Sequence, residues 1–259
     1  MHVLITGASA GIGEALARRV AAEPALAGAH VSLVARSGAR LRALAEELST
    51  VVARAFVADL SLPDEADRVL AEAEGWAGPV DLLFNNAGSQ VVGPTAAVDL
   101  ERAEASLTLD LVTPLRLIHR VLPGMQARGH GRIVNVASMA ALAPTPGMTW
   151  YNAAKGGLAA ASEALRGELG GTGVTVTTVY PGFIQTDMAD AALAAYGSSL
   201  AIRLQPIATT QELAAAVVPA VLSGRARVVY PRWYALSRWF PAPTRWLMDA
   251  LTPTPAVAA

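Results

Sequence analysis

The sequence predicts a doubly wound α/β domain: a parallel sheet of about seven strands with helices on both faces. Two observations carry this expectation. Short runs are apolar at every position rather than every second one, as strands covered on both faces require. Longer stretches rich in Ala, Leu and Arg alternate with them, and strand–helix alternation lays helices over both sides of one sheet. The length of 259 residues agrees, being enough for one such domain to form a core without a disulfide or metal staple.

The elements follow in order. Residues 2–6 form the first strand, and a glycine-rich turn leads into a helix over 12–22. Strands at 30–35 and 52–57 alternate with helices at 38–48 and 64–74. A strand at 80–84 precedes a long helical stretch, 99–127, which Pro114 should kink or interrupt. The strand 132–137, the helix 149–169 and the strand 174–180 come next. Thr209-Thr210-Gln211-Glu212 opens the last helix, 210–222, with a capping-box pattern, and 226–230 is the seventh strand. No repeat or low-complexity linker divides the chain, so residues 1–230 read as a single domain. Within it, 183–208 is a long excursion for an α/β connection and suits a lid or substrate loop. Residues 231–259 form a separate tail rich in Pro, Trp and Arg.

Composition narrows the function. There is no Cys, which excludes a disulfide scaffold, thiolate catalysis and Cys-ligated zinc. The net charge of −1 gives no electrostatic footprint for nucleic acid. Hydrophobic residues make up 53% of the chain and mean hydropathy is +0.38, yet no uncharged apolar run is long enough for a spanning helix. With no signal peptide visible, the expected location is cytoplasmic. The four His lack metal-ligand spacing, so no metal is expected. Lysine occurs once, at Lys155, and asparagine only at 85, 86, 135 and 152.

Thr6-Gly7-Ala8-Ser9-Ala10-Gly11-Ile12-Gly13 sits where the first strand turns into the first helix. Glycines allow a tight turn and close backbone approach to a pyrophosphate, and the helix N-terminus offers free N–H groups and a positive dipole end. The turn therefore points to a dinucleotide. The same residues match a Gly-x-Ser-x-Gly nucleophile elbow, which would make Ser9 the nucleophile of a hydrolase. That reading fails on position, because an elbow on the first strand leaves no upstream loop for the second oxyanion donor. At the end of the second strand, Ala35-Arg36-Ser37 carries no acid for a ribose 2′-hydroxyl and instead offers Arg36, a planar fork for a 2′-phosphate. NADP(H) is thus expected over NAD(H).

Tyr151 and Lys155 are four apart in a predicted helix and share a face, and Ser138 ends a strand on the side where open α/β sheets bind ligands. A free phenol titrates near ~10, so a neutral-pH proton carrier needs help; bringing it to ~7 takes about 4 kcal/mol of differential stabilisation, and a nearby ammonium supplies it in the right sense. Such a Tyr can exchange the proton of an alcohol/carbonyl pair while a Ser hydroxyl polarises the same oxygen.

Taken in order, Thr6-Gly7-x3-Gly11-Ile12-Gly13, Asp59, Asn85-Asn86-Ala87-Gly88, Ser138, Tyr151-x3-Lys155 and Pro181-Gly182-x3-Thr186 make residues 1–230 resemble a short-chain dehydrogenase/reductase with a Rossmann fold. The later segments look more like the hydroxysteroid-dehydrogenase-like members. The resemblance implies that Asp59 contacts the adenine, that Asn86 supports the adenosine side and the central sheet, and that Leu60, Ala87 and Gly88 also bind the cofactor. It implies that Thr186 holds the nicotinamide carboxamide, with Pro181, Gly182 and Ile184 also binding the cofactor. Tyr151 would be the general acid/base, Ser138 would orient substrate, and Lys155 would bind the nicotinamide ribose and lower the Tyr pKa. Many members carry an Asn where this chain has Asp110, so Asp110 is expected to keep that residue's proton-relay role. Homodimers or homotetramers built on 99–127 and 149–169 are implied by analogy.

The activity expected is oxidoreduction between a secondary alcohol and a ketone or aldehyde. Met139, Leu142, Met148, Trp150, Phe183 and Met188 suggest a small lipophilic substrate. A catalytically silent dinucleotide-binding regulator is the alternative. The tail admits three readings: a peripheral membrane contact through 231–251, a lid or oligomer contact over the cleft, or a segment folded back as core.

Overall fold

The computed structural model describes residues 1–196 and 207–252. Seven parallel strands form one sheet in the order β3-β2-β1-β4-β5-β6-β7, with β1 at His2–Thr6, β2 at His30–Ala35, β3 at Val52–Val57, β4 at Leu82–Asn85, β5 at Gly131–Val136, β6 at Val174–Pro181 and β7 at Arg227–Tyr230. The predicted strands match to within two residues at each end. Strand β1 is buried at all five positions, which accounts for its unbroken apolar run. Edge strand β3 exposes Val52 and Val57, and Arg54 sits between them as a charge against edge pairing.

Helices α1 (Gly11–Ala21) and α2 (Gly38–Glu47), together with a later helix at Thr210–Leu222, cover one face around Leu16, Leu33, Phe84 and Val217. Helix α3 (Pro63–Ala77) and the helices at Thr113–Arg128 and Thr149–Glu168 cover the other, around Leu4, Val69, Leu83, Ile118 and Ile133. Chain order reverses between β1 and β4, so a crevice opens at the carboxyl ends of those two strands.

The stretch 99–127 is not one kinked helix. It divides into α4 (Leu100–Leu107), a π-turn over Thr108–Val112, and α5 (Thr113–Arg128). The interruption lies just before Pro114, which starts α5 instead of bending it. Pro114 has no N–H for the carbonyl four residues back, that of Asp110, and the Thr113 amide bonds the Thr108 carbonyl in the wider π pattern.

Helices α6 (Thr149–Glu168), α7 (Asp187–Tyr196) and α8 (Thr210–Leu222) follow, and α8 carries the expected capping box between Thr209 and Glu212. Past β7 the chain forms a short 3-10 turn, Arg232–Ala235, then α9 (Leu236–Trp239) and α10 (Pro241–Leu251). The middle of the predicted substrate loop, 197–206, and the tail end, 253–259, lie outside the described residues.

Candidate active site

The site begins with close packing around the glycine turn. Gly7 and Gly11 have φ of +69° and +58°, where a side chain would be strained. A Cβ on Gly13 would stand 2.1 Å from the Gly7 carbonyl oxygen and 2.5 Å from Asn86 Nδ2. Gly13, expected with Gly7 and Gly11 to bind the dinucleotide, therefore does not line the crevice. It lets α1 press against the turn from behind. Asn86 Nδ2 donates to the Thr6 carbonyl at 2.9 Å, and the Asn86 and Ala87 amides donate to Thr6 Oγ1. Ala10, which precedes α1, provides no side-chain cap, in contrast to Thr209 at α8. The leading N–H groups of α1 are thus left for an anion.

A cavity of about 1500 Å³ extends from this turn along the carboxyl ends of the strands. Gly7, Ser9, Gly11, Ile12, Arg36, Asp59, Leu60, Asn86, Ala87, Gly88, Pro181, Gly182, Ile184 and Thr186 line it, as do Asp110, Ser138, Tyr151 and Lys155. So do Ser37 and Arg40, which sequence reasoning missed although Arg40 lies one helical turn beyond Arg36. Burial acts to raise the Asp59 carboxyl pKa, but the Ser61 hydroxyl and amide that it accepts, and the Arg36 charge, outweigh it and hold it below its usual value.

Met139, Met148, Phe183 and Met188 line the far part of the cavity. Leu142 does not. The 3-10 turn Met139–Ala141 carries it round to pack on the small cluster of Ala137, Ala159 and Tyr180. Trp150 is likewise outside the lining. Two polar ties frame this region: Tyr196 donates to the Pro146 carbonyl at 2.6 Å, and Asn152 Nδ2 to the Thr145 carbonyl at 2.8 Å.

Ser138 caps the 3-10 turn by accepting from the Ala140 amide at 3.1 Å. Helix α6 brings Tyr151 and Lys155 to the same end of β5, with Lys155 Nζ 5.9 Å from the centre of the Tyr151 ring. Lys155 Nζ donates to the Val136 carbonyl at 3.1 Å and lies 2.8 Å from Asp110 Oδ1, a contact close in distance but not aligned as a hydrogen bond. Asp110 is fully buried. Its Oδ2 accepts from the Ser89 amide at 3.0 Å and from the Ser106 hydroxyl at 3.2 Å, with the Ser89 hydroxyl at 3.4 Å. Gly88 makes room, because a Cβ there would stand 2.5 Å from Asp110 Oδ1.

Lys155 acts on Tyr151 in the expected sense, but burial overrides it. The Tyr151 pKa is raised, not lowered. Burial dominates, Lys155 opposes it, the Asp110 charge adds to it, and the Ser138 hydrogen bond opposes it. Lys155 is also raised: burial works against its charge, but Asp110 and Tyr151 hold its proton. The carboxylate offsets part of what the ammonium contributes toward phenolate, and burial outweighs the rest.

The positive-φ glycines, the uncapped helix start and the Arg36–Ser37–Arg40 donors fit a dinucleotide. With the Ser138, Tyr151 and Lys155 side chains beside them, they define a dinucleotide-dependent oxidoreductase. A family model for short chain dehydrogenase matches residues 1–197, and the chain belongs to that family. A short-chain dehydrogenase from Sphingobium yanoikuyae, solved in complex with NADPH, superposes with a TM-score of 0.79 at 32% identity, covering 98% of each chain. The ketoacyl reductase HetN of Nostoc sp. is 33% identical over 231 residues, 88% of this chain and 77% of its own. A fatty acyl-CoA reductase of Mycobacterium tuberculosis is 34% identical over 245 residues, 90% of this chain and 81% of its own.

Proposed function

We propose that this enzyme uses NADP(H) to interconvert a lipophilic ketone or aldehyde with its alcohol, with Tyr151 as the general acid/base and reduction the favoured direction. The observation that carries the reading is the convergence of Tyr151, Ser138 and Lys155 in the wall of a cavity whose far part is lined by Met139, Met148, Phe183 and Met188. Bound NADPH supplies the hydride. Ser138 and Tyr151 present two hydroxyls to one substrate oxygen, and polarisation by both favours charge developing there. Tyr151, its pKa raised, is protonated at neutral pH and can give its proton to that oxygen as negative charge develops there. Lys155, fixed by Asp110 and the Val136 carbonyl, remains charged beside it and stabilises the phenolate left behind.

Arg36, Ser37 and Arg40 together support a 2′-phosphate at the end of β2, and the NADPH complex of the Sphingobium relative supports the use of NADP(H). The names of the Nostoc and Mycobacterium relatives point to carbonyls borne on acyl chains, in keeping with the apolar lining.

The test is a carbonyl and alcohol panel run with NADPH and NADH, alongside cofactor binding followed by nicotinamide fluorescence. NADPH-dependent turnover of apolar ketones, lost in Tyr151→Phe while NADPH still binds, is expected. Binding without turnover of any carbonyl, or full activity in Tyr151→Phe, would refute it.

A further inference from the structure

We propose that the tail from Pro231 to Trp246 docks on anionic phospholipid membranes and that a lipophilic substrate enters the cavity from that side. The second half rests on the function proposed above; the first stands without it.

The tail displays its apolar side chains instead of burying them. Trp239 is 76% exposed, Trp246 72%, Leu236 61% and Phe240 58%. Every exposed Trp and Phe among the described residues lies in this segment. Elsewhere exposed apolar side chains are aliphatic and scattered, which is ordinary for a protein surface, whereas a run of aromatics is not. No helix among the described residues is long and apolar enough to cross a membrane, and Pro231, Pro241 and Pro243 divide this one into short pieces. Short elements of Trp, Phe and Arg suit the headgroup boundary, where aromatic rings sit with cations beside them.

Charge selects the occupant. Residues 231–246 contain Arg232, Arg238 and Arg245 and no acid, on a chain whose net charge is −1. Arg232 is exposed, whereas Arg238 is 3.5 Å from Glu163 and Arg245 donates to the Pro144 carbonyl. A symmetric contact with a second copy would set these arginines against themselves, with Glu163 already shared by Arg166, Arg227 and Arg238, and Asp249 of α10 the one acid of the tail. A surface of anionic headgroups meets both the rings and the charges.

The other side of the tail belongs to the cavity. Trp233, Tyr234, Leu236 and Ser237 line it, and the Tyr234 ring packs over Gly182 at the end of β6. The outward face of the tail and the mouth of the apolar cavity are therefore contiguous, so an apolar molecule leaving a bilayer can reach the cavity without full exposure to water.

Sedimentation of the full chain with vesicles tests this, using phosphatidylcholine alone and phosphatidylcholine with phosphatidylglycerol. Binding to the anionic vesicles, weakened by salt and accompanied by a blue shift of Trp emission, is expected. Trp239→Ser/Phe240→Ser/Trp246→Ser, at positions outside the cavity lining, should weaken binding by about tenfold or more. It should leave kcat/KM on a short water-soluble ketone unchanged and raise KM for a long-chain ketone dissolved in the vesicles. Equal binding by the triple variant and the parent, no binding to anionic vesicles, or a solution mass that halves in the triple variant would overturn the proposal, the last by showing that a second copy covers the patch. Vesicle binding with no turnover of any carbonyl would sink the proposed activity and leave the lipid surface standing.

Discussion

Lys155 Nζ lies 2.8 Å from Asp110 Oδ1, and both side chains are buried. Asp110 Oδ2 faces the Ser89 amide and the Ser106 hydroxyl, so both carboxylate oxygens face donors. An amide here would have to turn its NH2 toward either the ammonium or the Ser89 N–H, neither of which can accept. Asp110→Asn should therefore cost about 1–3 kcal/mol in urea unfolding at neutral pH. It also removes a negative charge that raises the Tyr151 pKa, so phenolate should form at lower pH. The acid limb of alcohol oxidation, and the tyrosinate absorbance difference between Asp110→Asn and its Tyr151→Phe double variant, should both move to lower pH. Unchanged stability and an unchanged profile would show that the carboxylate has no task of its own.

Lys155→Arg should keep the fold and lose turnover by about a hundredfold or more. Nζ is held between the Val136 carbonyl and Asp110, and a planar guanidinium cannot occupy that compact point. Circular dichroism and kcat separate the two effects, and a variant retaining most of its turnover would contradict the role given to Lys155.

Arg36→Asp should reduce the ratio of kcat/KM for NADPH over NADH by about tenfold to a hundredfold, the worth of a charge-assisted contact. Arg40→Ala should move the ratio the same way by less. Steady-state kinetics with both cofactors give the answer, and a ratio indifferent to both changes would remove the 2′-phosphate assignment.

Glu163 on α6 joins Arg166, Arg227 of β7 and Arg238 of α9. Burial acts to raise its pKa, but hydrogen bonds from Arg227 and Arg166 outweigh it and bring the carboxyl from 4.5 to about 2. With the folded value depressed, this stabilisation is complete above 4.5 and disappears as pH falls toward 2. Acid should therefore loosen β7 and the tail over that window, read as a change in Trp emission. Glu163→Gln should be less stable at neutral pH and show a weaker acid transition there. An acid transition identical in the variant would rule Glu163 out as its source.

The strands were legible because burial on both faces leaves an apolar mark in consecutive residues, as in Val3-Leu4-Ile5. The glycine turn and the Tyr151–Lys155 pair were legible because their geometry is local. The π-turn at 108–112 was not, since its cause is a missing N–H at Pro114 that also fits a simple kink. Nor could Ser89 and Ser106 be tied to Asp110 in advance: Ser89 is 21 residues from Asp110, and hydroxyls carry no periodic signal. Leu142 shows the same limit in reverse. Its apolar character was plain, but one 3-10 turn decides which side of the loop it serves.

Gly182 looks like a break after a strand, yet a Cβ there would lie 2.4 Å from Tyr234 Cε2. The missing side chain makes room for a ring fifty-two residues further along the chain. One methyl group at the end of β6 would prop the tail away from the cavity that both line, so the strand end and the tail are cut to a single shape.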